Sequence, residues 1–257
     1  NIGRCRLLGG RRLRARSVTA WRDLPEHGAG ADRVALRGVD LHHGARDRRG
    51  DLGVHLVRRY LDECLVFRDL VSTVQTAELA RHVASERQVS EVMVDFWTNH
   101  FNVFARKGLV RLFAADFVER VIRPRALGRF EELLIATAEH PAMLIYLDNA
   151  RSVAPGTARG KRGLNENYAR ELLELHTLGV DGGYTQADVV DVARIHTGWS
   201  VRRPRDGGLG FTFRERAHDQ GEKLVLGQRY AAGRGHEEGL ELLRALARHP
   251  STAKHLG

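Results

Sequence analysis

From Leu52 onward, apolar residues recur every three to four positions, which is the signature of amphipathic helices. The first such run is LGVHLVRRYLDECLVF, at residues 52–67. A second, TAELARHVASERQVSEVMVDFWTNHFNVF, keeps the period through Val89, Val92, Met93, Phe96 and Phe101. LVRLFAADFVERVI follows, with Pro124 as its expected stop, and then LGRFEELLIATAEH. Pro141 stands where a new helix, AMLIYLDNARS, can begin. Residues 153–163, rich in Gly, Pro and Arg, read as a loop. Next come NENYARELLELH, a GVDGGY turn, and QADVVDVARIHTGW, whose Thr185 and Asp188 have capping-box spacing. The pattern then switches to period two. GFTFRER and EKLVLGQRY predict two short strands joined through AHDQG, before a last helix in HEEGLELLRALARH. The expectation is a mainly α, multi-helix globular domain with one small β-hairpin near residues 209–230.

Charge divides the chain in two. Residues 1–60 hold 14 arginines, no lysine and 6 acids, a surplus of 8, while residues 61–257 hold 27 basic and 26 acidic residues, a surplus of 1. The body is nearly neutral, so no nucleic-acid partner is expected for residues 61–257. Residues 1–51 form a basic Arg/Gly-rich segment that follows neither helical nor strand periodicity. Two readings are open for it: a disordered basic arm, or an artefact such as a misread frame of GC-rich DNA. Residues 52–257 read as a single helical domain that stops before its C-terminal end. No apolar run reaches the length of a membrane span. Cys5 and Cys64 form no metal-binding spacing or disulfide framework.

The chemistry-bearing residues lie in separate segments. On a wheel of NENYARELLELH, Glu166, Asn167, Arg170, Glu171 and Glu174 share one arc. Tyr168, Ala169, Leu172, Leu173 and Leu175 share the other, and His176 points into it. Ion pairs at i,i+4 account for the first arc as a solvated face. A core imidazole with one hydrogen bond accounts for the histidine. DFWTNHF sets Asn99 and His100 among aromatics, where polar groups are costly unless satisfied. Asp148 and Asn149 end an apolar helix, Thr197 and Trp199 flank Gly198, and His218, Asp219 and Lys223 crowd the hairpin. The chain has no His-Glu-x-x-His, no phosphate loop, no nucleophile elbow and no haem-attachment motif.

VMVDFWTNHFNVFA, IRPRALGRFEELLIATAEHPAMLIYLDNARS, GLNENYARELLELHTLGVDGGYTQADVVDVARIHTGWS and FTFRERAHDQGEKLVLG occur in that order. Together they resemble the bacterial "domain of unknown function 1800" family over about residues 85–257. The resemblance implies an exported, cell-envelope location and longer relatives. It singles out the polar members of these motifs, Asn165 included. It also implies that His196 stands where relatives carry an aliphatic residue.

One expectation is a polar pocket where these segments meet, suited to acid–base or metal-assisted hydrolysis in the envelope. His100, Glu171, His176 and Asp148 would be catalytic. Asn99, Asn149, Arg170, Trp199, His218, Asp219 and Lys223 would bind a small-molecule or envelope-polymer substrate. The cofactor could be a divalent metal, with haem disfavoured, and no metal ligand is assigned. The alternative is a non-catalytic exported binding or assembly module whose polar residues form a structural network. Oligomeric state is not readable from the sequence.

Overall fold

The computed structural model describes residues 76–156, 163–202 and 208–257. The helix expected at 52–67, both cysteines, the basic segment and most of the loop expected at 153–163 lie outside the described residues. Helix takes 58% of the described residues, and all strands belong to two two-stranded antiparallel sheets. The mainly α expectation holds.

A helical segment at 76–84 precedes α1 (Gln88–His100). Helix α2 runs over 114–125. It starts as α (Ala114–Asp116), widens to π geometry (Phe117–Ile122) and tightens to 3-10 (Arg123–Arg125). Pro124 therefore sits inside the last turn rather than before it. Helices α3 (Phe130–Glu139) and α4 (Pro141–Tyr146) follow. Pro141 is at the first turn of α4, where its missing N–H costs nothing, and the His140 ring caps the helix by accepting from Ala142 N. Helix α5 covers 167–176, with α geometry over Asn167–Glu171 and π geometry over Leu172–His176. Helix α6 (Gln186–Ile195) opens on the expected capping box. Asp188 N donates to Thr185 Oγ1, and Thr185 N donates to Asp188 Oδ2.

The β region holds two ladders. β1 (Trp199–Val201) pairs with β2 (Phe211–Phe213), and β3 (Lys223–Val225) pairs with β4 (Gln228–Tyr230). EKLVLGQRY is thus not one strand but a hairpin of its own. The reason is local: Leu226 (φ 50°) and Gly227 (φ 77°) both take positive φ, the geometry of a two-residue type I′ turn. Asp188 Oδ1 accepts from Leu226 N at 2.7 Å and ties that turn to the start of α6. Helices α7 (His236–Ala247) and α8 (Pro250–Leu256) complete the described body.

Apolar burial drives the assembly. Helix α3 packs on α7 and α2, α5 on α6, and α6 on β3. Phe117, Ile122, Leu133, Leu144, Leu172, Val192, Trp199 and Leu243 are fully buried among them. Along α1 the apolar positions divide. Val94 and Phe101 enter the core, whereas Val89, Val92 and Phe96 stay exposed. Glu91 is buried instead, because Arg123 Nη1 donates to both its carboxylate oxygens at 2.8 and 2.9 Å.

Candidate functional site

The segments expected to share one pocket meet pairwise, at several junctions. The first joins the ends of α1 and α5. His100 Nε2 donates to the carbonyl of His176 at 3.1 Å, and their ring centroids are 6.2 Å apart. Trp97 and Phe101 meet the His100 ring edge-on at 5.6 and 4.7 Å. Asn99 points away; its side chain donates to Asp95 O on the exposed side of α1. His176 is buried as the wheel required, but Leu175 is 49% exposed. The π turn after Glu171 is wider and rotates less per residue, so the last residues of α5 leave the phase of a regular α-helix.

No hydrogen bond reaches the His176 ring from the described residues. Burial and the neighbouring His100 push its pKa down to about 3. His100 is lowered too, chiefly by burial. Among the described residues no carboxylate bears on either ring. Glu171 lies on the outer face of α5, where partial burial and then Glu174 raise its pKa. Asp148 has left-handed backbone (φ 59°) and pairs with Lys107 Nζ at 2.9 Å. Two proposed carboxylate partners therefore interact with other groups.

The second junction is structural. The fully buried Asn149 donates to His196 O at 3.1 Å, and Asn165 donates to Leu147 O at 3.3 Å. Arg170 forms an exposed cluster with Glu166 (3.3 Å) and Gln186 (3.0 Å), which matches the solvated-face reading.

The third junction is the most polar and the most deeply sealed. Lys223 Nζ lies 2.6 Å from Glu238 Oε1, and His218 Nε2 lies 2.9 Å from the same oxygen, though not aligned for a hydrogen bond. All three side chains have 0% exposure. His218 Nδ1 donates to Thr197 O at 2.9 Å. Lys223 also donates to Asp219 O, and the Asp219 carboxylate receives two bonds of 3.0 Å from Arg194. Arg194 in turn reaches Asp191 at 2.7 Å. Hairpin, α6 and α7 are riveted together here. Glu238, Arg194 and Asp191 escaped the sequence reading. HEEGLELL reads as a helix start with acids complementing the dipole, and only the fully buried Lys223 opposite marks one of those acids as internal.

Beside this network, Trp199 is fully buried and packs so closely on α7 that a Cβ on Gly239 would fall 2.4 Å from its ring. The indole is part of the hydrophobic core. His196 Nδ1 donates to Val192 O at 2.9 Å, while its buried Nε2 has no partner among the described residues. Burial pushes its pKa down to about 4.

The motifs that define these junctions lie within residues 92–227 of the sequence. Over residues 16–257 it matches the family described as Protein of unknown function (DUF1800). The chain belongs to this family. The match starts at residue 16, well before the first motif at Val92, so the DUF1800 region takes in most of the basic segment and extends beyond the span of about 85–257 that the motifs alone carry. No curated protein and no solved structure matches the chain. Among the described residues of this DUF1800 member, no group of three His, Cys, Asp or Glu side chains is arranged to hold a metal ion. No helix of the described residues is long and apolar enough to cross a membrane.

Proposed function

We propose that this DUF1800 chain is a non-catalytic binding or assembly module, whose polar motif residues hold its helices and hairpins in register. The observation that carries this reading is the sealing of Lys223, Glu238 and His218, each side chain at 0% exposure. Groups that no solvent reaches hold structure rather than turn over a substrate. The scatter of the remaining candidates supports it. Acid–base catalysis needs an imidazole with a pKa near the working pH and an orienting partner within hydrogen-bond reach. His176, with a pKa near 3, has no carboxylate on its ring, while Asp148 is engaged by Lys107. Export to the cell envelope belongs to this proposal on the family resemblance alone.

The test is a panel of chromogenic carboxylic-ester, phosphoester, glycoside and peptide substrates, run on the wild type and on folded His100→Gln and His176→Leu variants. No turnover above blank is expected from any of the three. Turnover by the wild type that is lost in His176→Leu, with the fold intact, would overturn the module reading in favour of a hydrolytic pocket.

A further inference from the structure

Three helices end on one another through imidazoles. His100, the last residue of α1, donates through Nε2 to His176 O at 3.1 Å. His255, in the last turn of α8, donates through Nε2 to Leu175 O at 3.1 Å. The two accept at adjacent positions in the π turn that closes α5, where carbonyls lack an intrahelical partner. The His100 ring is 6.2 Å from the His176 ring and 6.3 Å from the His255 ring. Gly179 (φ 82°) completes the seat, because a Cβ there would fall 2.8 Å from His255 Nδ1.

We propose that this seat is an acid-sensitive latch, which docks α8 and the end of α5 on α1 near neutral pH and releases them when His176 and His100 take up protons. The groups facing the cluster make protonation costly. From α1 comes only His100, from α8 comes His255, and α3 offers the apolar ring of Phe130. Lys254 is exposed on α8. On α5, Glu171 and Glu174 act on each other across the outer face. A proton on His176 or His100 therefore enters a buried or half-buried site with no counter-ion on it among the described residues. Opening exposes the His176 and His100 rings to water, where they accept protons at ordinary pH, so acid shifts the balance toward the open form. The folded pKa of His176, about 3, lies below its ordinary value of 6.5. The docked state is therefore fully favoured above about pH 6.5 and loses ground as pH falls toward 3.

Hydrogen exchange on the full chain, corrected for intrinsic rates, tests this at pH 7.5 and pH 4.5. One linked proton changes an opening constant by up to about tenfold per pH unit below 6.5, so amides of residues 173–179 and 250–256 should open about a hundredfold more at pH 4.5. Helix α6, which opens only with the whole body, should stay better protected than α8 at both pH values. His176→Leu should flatten the dependence. His100→Gln keeps a donor toward His176 O but cannot ionise, and should move release to lower pH. Wild-type protection that ignores pH would overturn the latch. So would an unchanged dependence in both variants, or α6 amides that open as readily as those of α8 at pH 4.5.

Discussion

Lys223 and Glu238 meet at 2.6 Å with neither side chain reaching solvent, and between them they join β3 to α7. Leaving one buried charge without its partner is far costlier than removing both. Lys223→Met alone, or Glu238→Leu alone, is expected to destabilise the protein by about 3–5 kcal/mol. The double variant is expected to regain a large part of that loss. Urea unfolding of the four proteins closes the cycle. Additive losses would mean that the two groups do not act as a pair.

Gly239 lies inside α7, where Gly→Ala ordinarily gains about 1 kcal/mol of helix propensity. Here the sign should reverse, because the added Cβ would sit 2.4 Å from Trp199 Cζ2. Overpacking of this kind costs about 1–3 kcal/mol. A fall in Tm for Gly239→Ala, with a changed near-UV spectrum from Trp199, is the expected outcome. A rise in Tm would show that the indole yields freely.

Gly198 faces a related constraint from the backbone side. Its φ of 81° suits glycine, and a Cβ would fall 2.6 Å from Arg214 O. Gly198→Ala is therefore expected to destabilise the junction of α6 with β1 by several kcal/mol, on the order of strain plus overpacking. Thermal unfolding reads it directly. A loss below about 1 kcal/mol, under the range for overpacking, would contradict the close approach.

His196 sets an acid limit on the whole body. Its folded pKa, about 4, is depressed below the ordinary 6.5 by burial, so its contribution is present above pH 6.5 and is lost as pH falls toward 4. His196→Leu removes a buried ring nitrogen with no partner among the described residues. It is expected to raise stability at pH 7 by about 1–3 kcal/mol and to flatten the decline between pH 6.5 and 4. Equal acid sensitivity in variant and wild type would place that sensitivity elsewhere.

Much of this fold is readable from the sequence wherever one local rule decides. Thr185 and Asp188 announce the start of α6, Pro141 the start of α4, and the switch to period two the β region. What escapes depends on geometry that no local rule encodes. The π turns in α2 and α5 shift helical phase, which is why Leu175 is exposed while His176 is buried. The type I′ turn at Leu226 and Gly227 carries a leucine at positive φ, so EKLVLGQRY gives no Asn-Gly or Asp-Gly signal and reads as one strand. Val89, Val92 and Phe96 follow helical spacing but stay exposed, and Glu91 takes a buried position because Arg123, 32 residues away, neutralises it. Among candidate site residues, the sequence picked out His100 and His176, which do meet. It also picked out His218, Asp219 and Lys223, which share a network. It could not show that Glu238 completes that network, since a carboxylate near a helix start has an ordinary explanation at the surface.

The central claim is that the motif histidines pack and dock rather than catalyse or bind metal. The most direct measurement is a ring-nitrogen NMR spectrum of the full chain at pH 7.5, recorded before and after stoichiometric zinc and then manganese. The expected result is a neutral His176 ring whose signals, with those of His100 and His218, stay in place under both ions. Joint movement of the His100 and His176 ring nitrogens that saturates at one zinc per chain would contradict the claim and return the site to metal-assisted chemistry.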